Sequence, residues 1–161
     1  MNGSIPEKPG VYTLIIEATK TATVNVGGLG AKYFPIGYYT YTGSALGEGA
    51  SGLRGRITRH MRQEKKRRWH IDYLLSSPDV SIRAVVYSEN SVGRECEIAQ
   101  DIEGLEGVRV IVKGFGSSDC RRGCLAHLHH FPDSSEEGLI HTVSSIYGCI
   151  GLFPRVFIYR T

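Results

Sequence analysis

The sequence predicts an α+β fold: a small antiparallel central sheet, three core strands with further strands added, flanked by helices. Three observations carry this expectation. Short runs rich in β-branched and aromatic residues recur along the chain. Between them lie stretches whose apolar residues repeat at helical spacing. With 161 residues, 41% hydrophobic and 22% charged, the chain has the size and composition of one globular domain. A chain of this length buries about two-thirds of its unfolded surface, enough for a core without cross-links.

Taken in order, Gly10–Ala18 (GVYTLIIEA) reads as a strand after Pro9, and Thr21–Val26 as its hairpin partner. Gly27–Gly30 breaks the chain, and Gly37–Gly43 (GYYTYTG) is a further strand. Gly43–Gly52 reads as a flexible loop of small residues. A helix follows with Ser51 as its N-cap and Leu53, Ile57, His60 and Met61 as its apolar stripe. A second helix is expected from near Trp69 to before Pro78, with Ile71, Leu74 and Leu75 inward. Ile82–Tyr87 is a strand. Ser91–Leu105 is a helix with Cys96, Ile98, Ala99 and Ile102 on one face. Val108–Val112 is a strand, Gly114–Cys124 a loop, and Leu139–Ile146 and Arg155–Tyr159 two further strand-like pieces. No repeat or linker divides the chain, so residues 1–161 are expected as one domain, its core at about 9–131 and an extension at 139–161.

Several classes drop out. Aromatic and β-branched residues are too plentiful for disorder beyond the first residues, Met1 to Ser4. The most apolar stretch, Leu139–Phe153, is too short and too polar to span a bilayer, so no membrane partner is expected. The first residues lack a signal-peptide layout, which favours the cytoplasm and free thiols. Cys96, Cys120, Cys124 and Cys149 are too scattered for a disulfide framework, and Cys96 reads as a core residue.

The net charge of +3 is unevenly spread. Arg54, Arg56, Arg59, Arg62, Lys65, Lys66, Arg67 and Arg68 face a single acid, Glu64, so Arg54–Arg68 carries +7 and the remainder −4. A dense positive helix of this kind suits a phosphate backbone, whose counterions each contact releases. A merely solvated helix face is the competing explanation.

The motifs are Gly10-Val11-Tyr12, Tyr41-Thr42-Gly43, and Leu53-x-x-Arg56-x-x-x-His60 on the following helix. Trp69-His70-Ile71-Asp72-Tyr73, Glu95-Cys96-Glu97 and Gly114-Phe115-Gly116-Ser117-Ser118-Asp119-Cys120 come after them. In this order they resemble the GIY-YIG nuclease superfamily, and within it the small stand-alone prokaryotic branch known as DUF123. The resemblance covers most of residues 9–131. It implies a three-stranded antiparallel core and divalent-metal-dependent cleavage of DNA, in the setting of repair and with a repair protein as a possible partner.

On this resemblance Tyr12 and Tyr41 lie on neighbouring strands and face one pocket, with Tyr12 the candidate general base. A phenol, pKa near 10 when unperturbed, needs a cationic neighbour to act at neutral pH. Arg56 supplies that charge and a planar fork for phosphate oxygens. His60 contacts phosphate or holds the site together. Gly43, Arg54, Arg59, Arg62, Lys65, Lys66, Arg67, Arg68, Trp69 and His70 form the expected nucleic-acid surface, Trp69 by stacking on a base. The alternative for the tyrosines is a pair of half-buried strand aromatics. For Trp69 and His70 it is a helix-start cluster packed on the sheet.

Relatives bind their metal through one glutamate of a later helix, and a hard oxygen ligand suits Mg2+ or Mn2+. Here Glu95 is the first candidate and Glu97 the second, although helical register also points to Gln100, a poor ligand. A second departure is the 28 residues between Tyr12 and Tyr41, wider than the family's usual spacing. They read as a hairpin that lengthens the sheet edge. The alternative function is therefore a non-catalytic nucleic-acid-binding module with a degenerate nuclease site. Cys120-x-x-x-Cys124-x-x-His127 has ligands suited to Zn2+, but its spacing matches no standard ribbon or finger. Loop thiols beside an exposed histidine cluster, His127, His129 and His130, are the expectation there, with a supporting role for Ser118, Asp119 and His127 as a further option. Gly27–Gly30 is not a dinucleotide fingerprint, since no helix follows it.

Overall fold

The structure, a computed structural model, describes residues 4–118 and 120–159; Met1, Asn2, Gly3, Asp119, Arg160 and Thr161 lie outside them. The fold is α+β. Strands β1 (Gly10–Ala18), β4 (Gly37–Ala45), β5 (Val80–Glu89), β6 (Leu128–Phe131) and β7 (Arg155–Ile158) form one antiparallel sheet in the order β6-β4-β1-β5-β7. A separate two-stranded sheet joins β2 (Ala22–Asn25) to β3 (Ala31–Phe34). Helices α1 (Leu53–Met61) and α2 (His70–Leu75) cover one face of the main sheet, and α3 (Glu95–Glu103) and α4 (Glu136–Cys149) the other.

Strand β1 is central and buried on both faces. The period-two geometry of a strand sends alternate side chains to opposite sides. Tyr12, Leu14 and Ile16 pack with Leu53 and Ile57 of α1 and Ile71 and Leu74 of α2. Val11 and Ile15 pack with Ile98 and Ile102 of α3 and Val143 and Tyr147 of α4. Thr13, the polar residue of the second set, is fully buried. Its hydroxyl bonds to Thr42 Oγ1 at 3.1 Å and to the Tyr147 hydroxyl at 2.9 Å, and Tyr147 also reaches the Val86 carbonyl at 3.2 Å. Buried hydroxyls that satisfy one another avoid the cost of desolvation.

Several sequence expectations are corrected. The Thr21–Val26 segment does not pair with the first strand, because β4 and β5 occupy both of its edges. It pairs with β3 instead, so the long spacer folds as its own hairpin and does not lengthen the main sheet. Ser51 is not the N-cap: it ends a short 3-10 turn, and Gly52 precedes the helix. Val108–Val112 is not a strand, since it meets β6 only through the bridge of Arg109 to His130. Leu139–Ile146 is not a strand but part of α4. Its β-branched residues suggest a strand, yet Leu139, Val143, Ile146 and Tyr147 are buried at i, i+4, i+7 and i+8. Ser135 caps that helix by accepting from Gly138 N at 3.0 Å, with Glu136 and Glu137 in the first turn. His127, His129 and His130 are not an exposed cluster. The last two belong to β6, and all three are buried.

The basic run is not one helix either. α1 stops at Met61, and the chain from Arg62 to Trp69 wraps back over the helix end. Lys65 Nζ donates to the carbonyls of His60 (2.8 Å), Arg62 (2.9 Å) and Arg59 (3.3 Å), satisfying groups that the end of α1 leaves open.

The Thr13–Tyr147 network joins the sheet to α4. Tyr147→Phe is expected to lower stability by about 1–2 kcal/mol in urea unfolding, with an unchanged denaturant slope, because one buried hydroxyl loses its bonds while packing stays.

Candidate active site

The site lies where β4 outruns its neighbour. β4 extends from Gly37 to Ala45, but β6 pairs only with Tyr38–Tyr41. Past Thr42, whose N–H reaches the His127 carbonyl at 3.1 Å, the outer edge of β4 opens into a cavity of about 220 Å³. Tyr12, Tyr41, Gly43, Arg56 and Trp69 line it from one face, and Glu95 closes it from the N-terminal end of α3.

Strand register explains the paired motifs. Tyr12 is opposite Gly43, and Leu14 is opposite Tyr41, so the two tyrosines are neighbours on one face. The Tyr12 ring lies across Gly43, where an added Cβ would sit 2.7 Å from its hydroxyl oxygen. At Gly10 a Cβ would collide with the Ser88 carbonyl and with Leu53, the first residue of α1. Tyr41 has a similar relation to Gly116, where a Cβ would lie 2.8 Å from its ring and the backbone φ is +71°.

The Tyr12 hydroxyl and His60 Nε2 share a buried hydrogen bond of 2.7 Å. Burial, with help from Tyr41, pushes the Tyr12 pKa well above that of a free phenol, and Arg56 only partly opposes this. Burial also lowers His60 from its ordinary 6.5 to about 3, although Asp72 works in the other direction. Both groups are therefore neutral at rest. The Arg56 guanidinium sits 5.0 Å from the Trp69 ring centre and points its charge into the cavity.

The two candidate glutamates separate. Ser44 Oγ donates to Glu95 Oε2, which orients that carboxylate at the cavity. Glu97 instead forms a two-point pair with Arg94, at 2.7 and 3.0 Å, and does not line the cavity. Gln100 faces away as well, donating to the Arg122 carbonyl at 3.0 Å. Glu95 presents the oxygen donor that a hard cation with several retained waters requires, so it fits Mg2+ or Mn2+.

The expected nucleic-acid residues divide by role. Arg59 makes two hydrogen bonds to Asp72, at 3.0 and 2.9 Å, and stacks 4.3 Å from the Trp69 ring centre. Asp72 Oδ2 also accepts from the N–H groups of Arg68 (2.8 Å) and Trp69 (3.0 Å). Burial would raise the Asp72 pKa, but Arg59 and those two amides outweigh it and hold the carboxylate ionised. Arg59, Lys65 and Asp72 thus fold the run, a role that residue type alone does not signal. Arg54 pairs with Glu7 at 3.0 Å. His70 Nδ1 accepts from Gly116 N at 2.8 Å, anchoring the loop that carries Phe115. Arg62, Lys66, Arg67 and Arg68 remain exposed.

Because His60 protonates near pH 3 when folded and near 6.5 when unfolded, the unfolded chain binds the extra proton between these values. Its contribution to stability is complete above pH 6.5 and is lost as pH falls toward 3. His60→Gln is expected to flatten the dependence of unfolding free energy on pH in that window by about one proton. Denaturant titrations from pH 7 to 4 check this.

No curated protein and no solved structure matches the chain. Among the described residues, no helix is long and apolar enough to cross a membrane. The model of one family, the domain of unknown function DUF123, matches residues 11–148, which takes in every strand of the main sheet except β7 and every residue lining the cavity. With that span covered, the chain belongs to the DUF123 family.

Proposed function

We propose that this chain is a GIY-YIG-type endonuclease that hydrolyses DNA phosphodiesters with Mg2+ or Mn2+, in a cytoplasmic DNA-repair setting. One observation carries the reading. Tyr12 with its His60 partner, Tyr41, Arg56 and Glu95 converge on a single open cavity from two strands and two helices. Reacting groups must share one place where the scissile phosphorus can sit.

The chemistry follows from the resting charges. Burial disfavours the Tyr12 phenolate, so Tyr12 works best as a relay that never ionises. As the water oxygen attacks phosphorus, its proton passes to the Tyr12 oxygen while the Tyr12 proton passes to His60 Nε2. The negative phosphate in the cavity and the nearby Asp72 favour the protonated imidazole. Arg56 offers its fork to two non-bridging oxygens and opposes the charge that develops on them. Tyr41 bounds the cavity beside the reacting centre, and Glu95 would hold the cation. When bound, the cation supplies further charge neutralisation to the phosphate. The P–O bond to the leaving oxygen breaks, and solvent at the open mouth protonates that oxygen. The exposed Arg62, Lys66, Arg67 and Arg68 would carry flanking phosphates.

Plasmid and branched DNA incubated with Mg2+ or Mn2+ are expected to be nicked or cut, and EDTA to abolish the reaction. Arg56→Ala is expected to slow cleavage by about 10²–10³-fold, the cost of one transition-state donor. Glu95→Gln should abolish metal-dependent cleavage, whereas Glu97→Gln should retain it. Gly43→Ala, which pushes the Tyr12 hydroxyl from its seat, should lose cleavage while keeping the fold by circular dichroism. Intact DNA under all these conditions, together with salt-sensitive DNA binding, would instead identify a binding module with a degenerate site.

A further inference from the structure

Beside the cavity, on the far side of Glu95, the fold gathers a second set of groups. Cys96 comes from α3, Cys120 and Cys124 from the loop that follows Gly116, and His127 from the approach to β6. Their ligand atoms all lie within 4.8 Å of one another. All four cysteines of the chain are free thiols, and Cys149 stands apart on α4. Cys96 and His127 are buried, and Cys120 and Cys124 are half-buried.

We propose that Cys96, Cys120, Cys124 and His127 form a closed tetrahedral site for a structural Zn2+ ion. The geometry fits that ion. Zn–S bonds of about 2.3 Å and Zn–N bonds of about 2.0–2.1 Å give tetrahedral edges of about 3.5–3.8 Å. Here Cys96 Sγ lies 3.4 Å from Cys120 Sγ and 3.7 Å from His127 Nε2. Three soft thiolates and one imidazole select Zn2+ over Mg2+ or Mn2+, which prefer oxygen. With four protein ligands no position is left for a substrate, which makes the ion structural.

The surroundings suit thiolate sulfur. The Arg122 N–H donates to Cys120 Sγ at 3.4 Å, and Gln100 Nε2 donates to Cys124 Sγ at 3.5 Å. Such outer donors orient metal-bound sulfur and lower its charge density. Arg121 and Arg122 line the adjoining cavity with Glu95, Cys96 and Cys120. Three thiolates and one Zn2+ leave a net charge of −1, which these arginines oppose. Binding displaces the thiol protons to solvent.

The ion would tie α3 to the loop between Gly116 and β6 at the residue next to Glu95. Within that loop Cys120 N reaches Ser117 O at 3.0 Å and Gly114 N reaches Leu125 O at 2.8 Å, and His127 N reaches Phe115 O at 2.8 Å. A metal clip there would add a direct tie from this loop to α3, which those backbone bonds do not reach. The proposal does not depend on nuclease activity, because a DNA-binding module needs the same staple.

The full chain, purified with reductant and without chelator, is expected to contain about one zinc per chain by elemental analysis. Its Co2+-substituted form should show the intense visible bands of tetrahedral thiolate coordination. Cys120→Ser and Cys124→Ser should each lose stoichiometric zinc, and Cys149→Ser should keep it. Should the variants fail to fold, the wild-type Co2+ spectrum still decides the matter. Zinc far below one per chain, iron in its place, a Cys96–Cys120 disulfide in the purified protein, or a six-coordinate Co2+ spectrum would each overturn the assignment.

Discussion

The shape of the cavity depends on one fit: the ring of Tyr12 lying across Gly43, its register partner on the next strand. A buried tyrosine in the middle of a sheet face needs room that a side chain opposite would take. Glycine opposite grants it, and the hydroxyl then reaches His60 on α1. Gly10 performs the complementary task two residues earlier, letting Leu53 of α1 close onto β1. These two glycines bring helix and sheet together at the distance that places Arg56 over the open edge of β4.

A second constraint acts from the basic run. Eight cations within fifteen residues would repel one another along a helix, and the fold avoids this by ending α1 at Met61. Asp72 gathers Arg59 and two backbone amides, and Lys65 closes the helix end. Arg62, Lys66, Arg67 and Arg68 remain outward. The same charges that suggest a nucleic-acid surface are thus partly spent on folding it.

Much of this was legible in the residues themselves. The β-branched and aromatic content of Gly10–Ala18, the apolar stripe Leu53–Ile57–His60 and the face Cys96–Ile98–Ala99–Ile102 are local patterns, and each marks its element. The resemblance implies one pocket for Tyr12, Tyr41 and Arg56 and leaves the glutamate open between Glu95 and Glu97, of which Glu95 lines the cavity. What escaped depends on long-range contact. The β-branched content of Leu139–Ile146 masks a helix that its cap and acidic first turn indicate. Thr21–Val26 could not show that both edges of the first strand were taken. The histidines at 127, 129 and 130 read as surface because they are polar, yet a strand carries two of them inside. Of the thiol–imidazole cluster the short motif Cys120-x-x-x-Cys124-x-x-His127 marks three members, whereas Cys96, more than twenty residues away, reads as a core residue until the fold brings it to them.

The central claim is that the open edge of β4 is where phosphate and a hard cation meet. Crystals of the chain grown with Mn2+ and a short DNA duplex test it directly through anomalous scattering. The expected result is a manganese peak at the Glu95 carboxylate with a phosphate between it and Arg56, beside Tyr12. Phosphate density confined to Arg62–Arg68, with no manganese at Glu95, would contradict it.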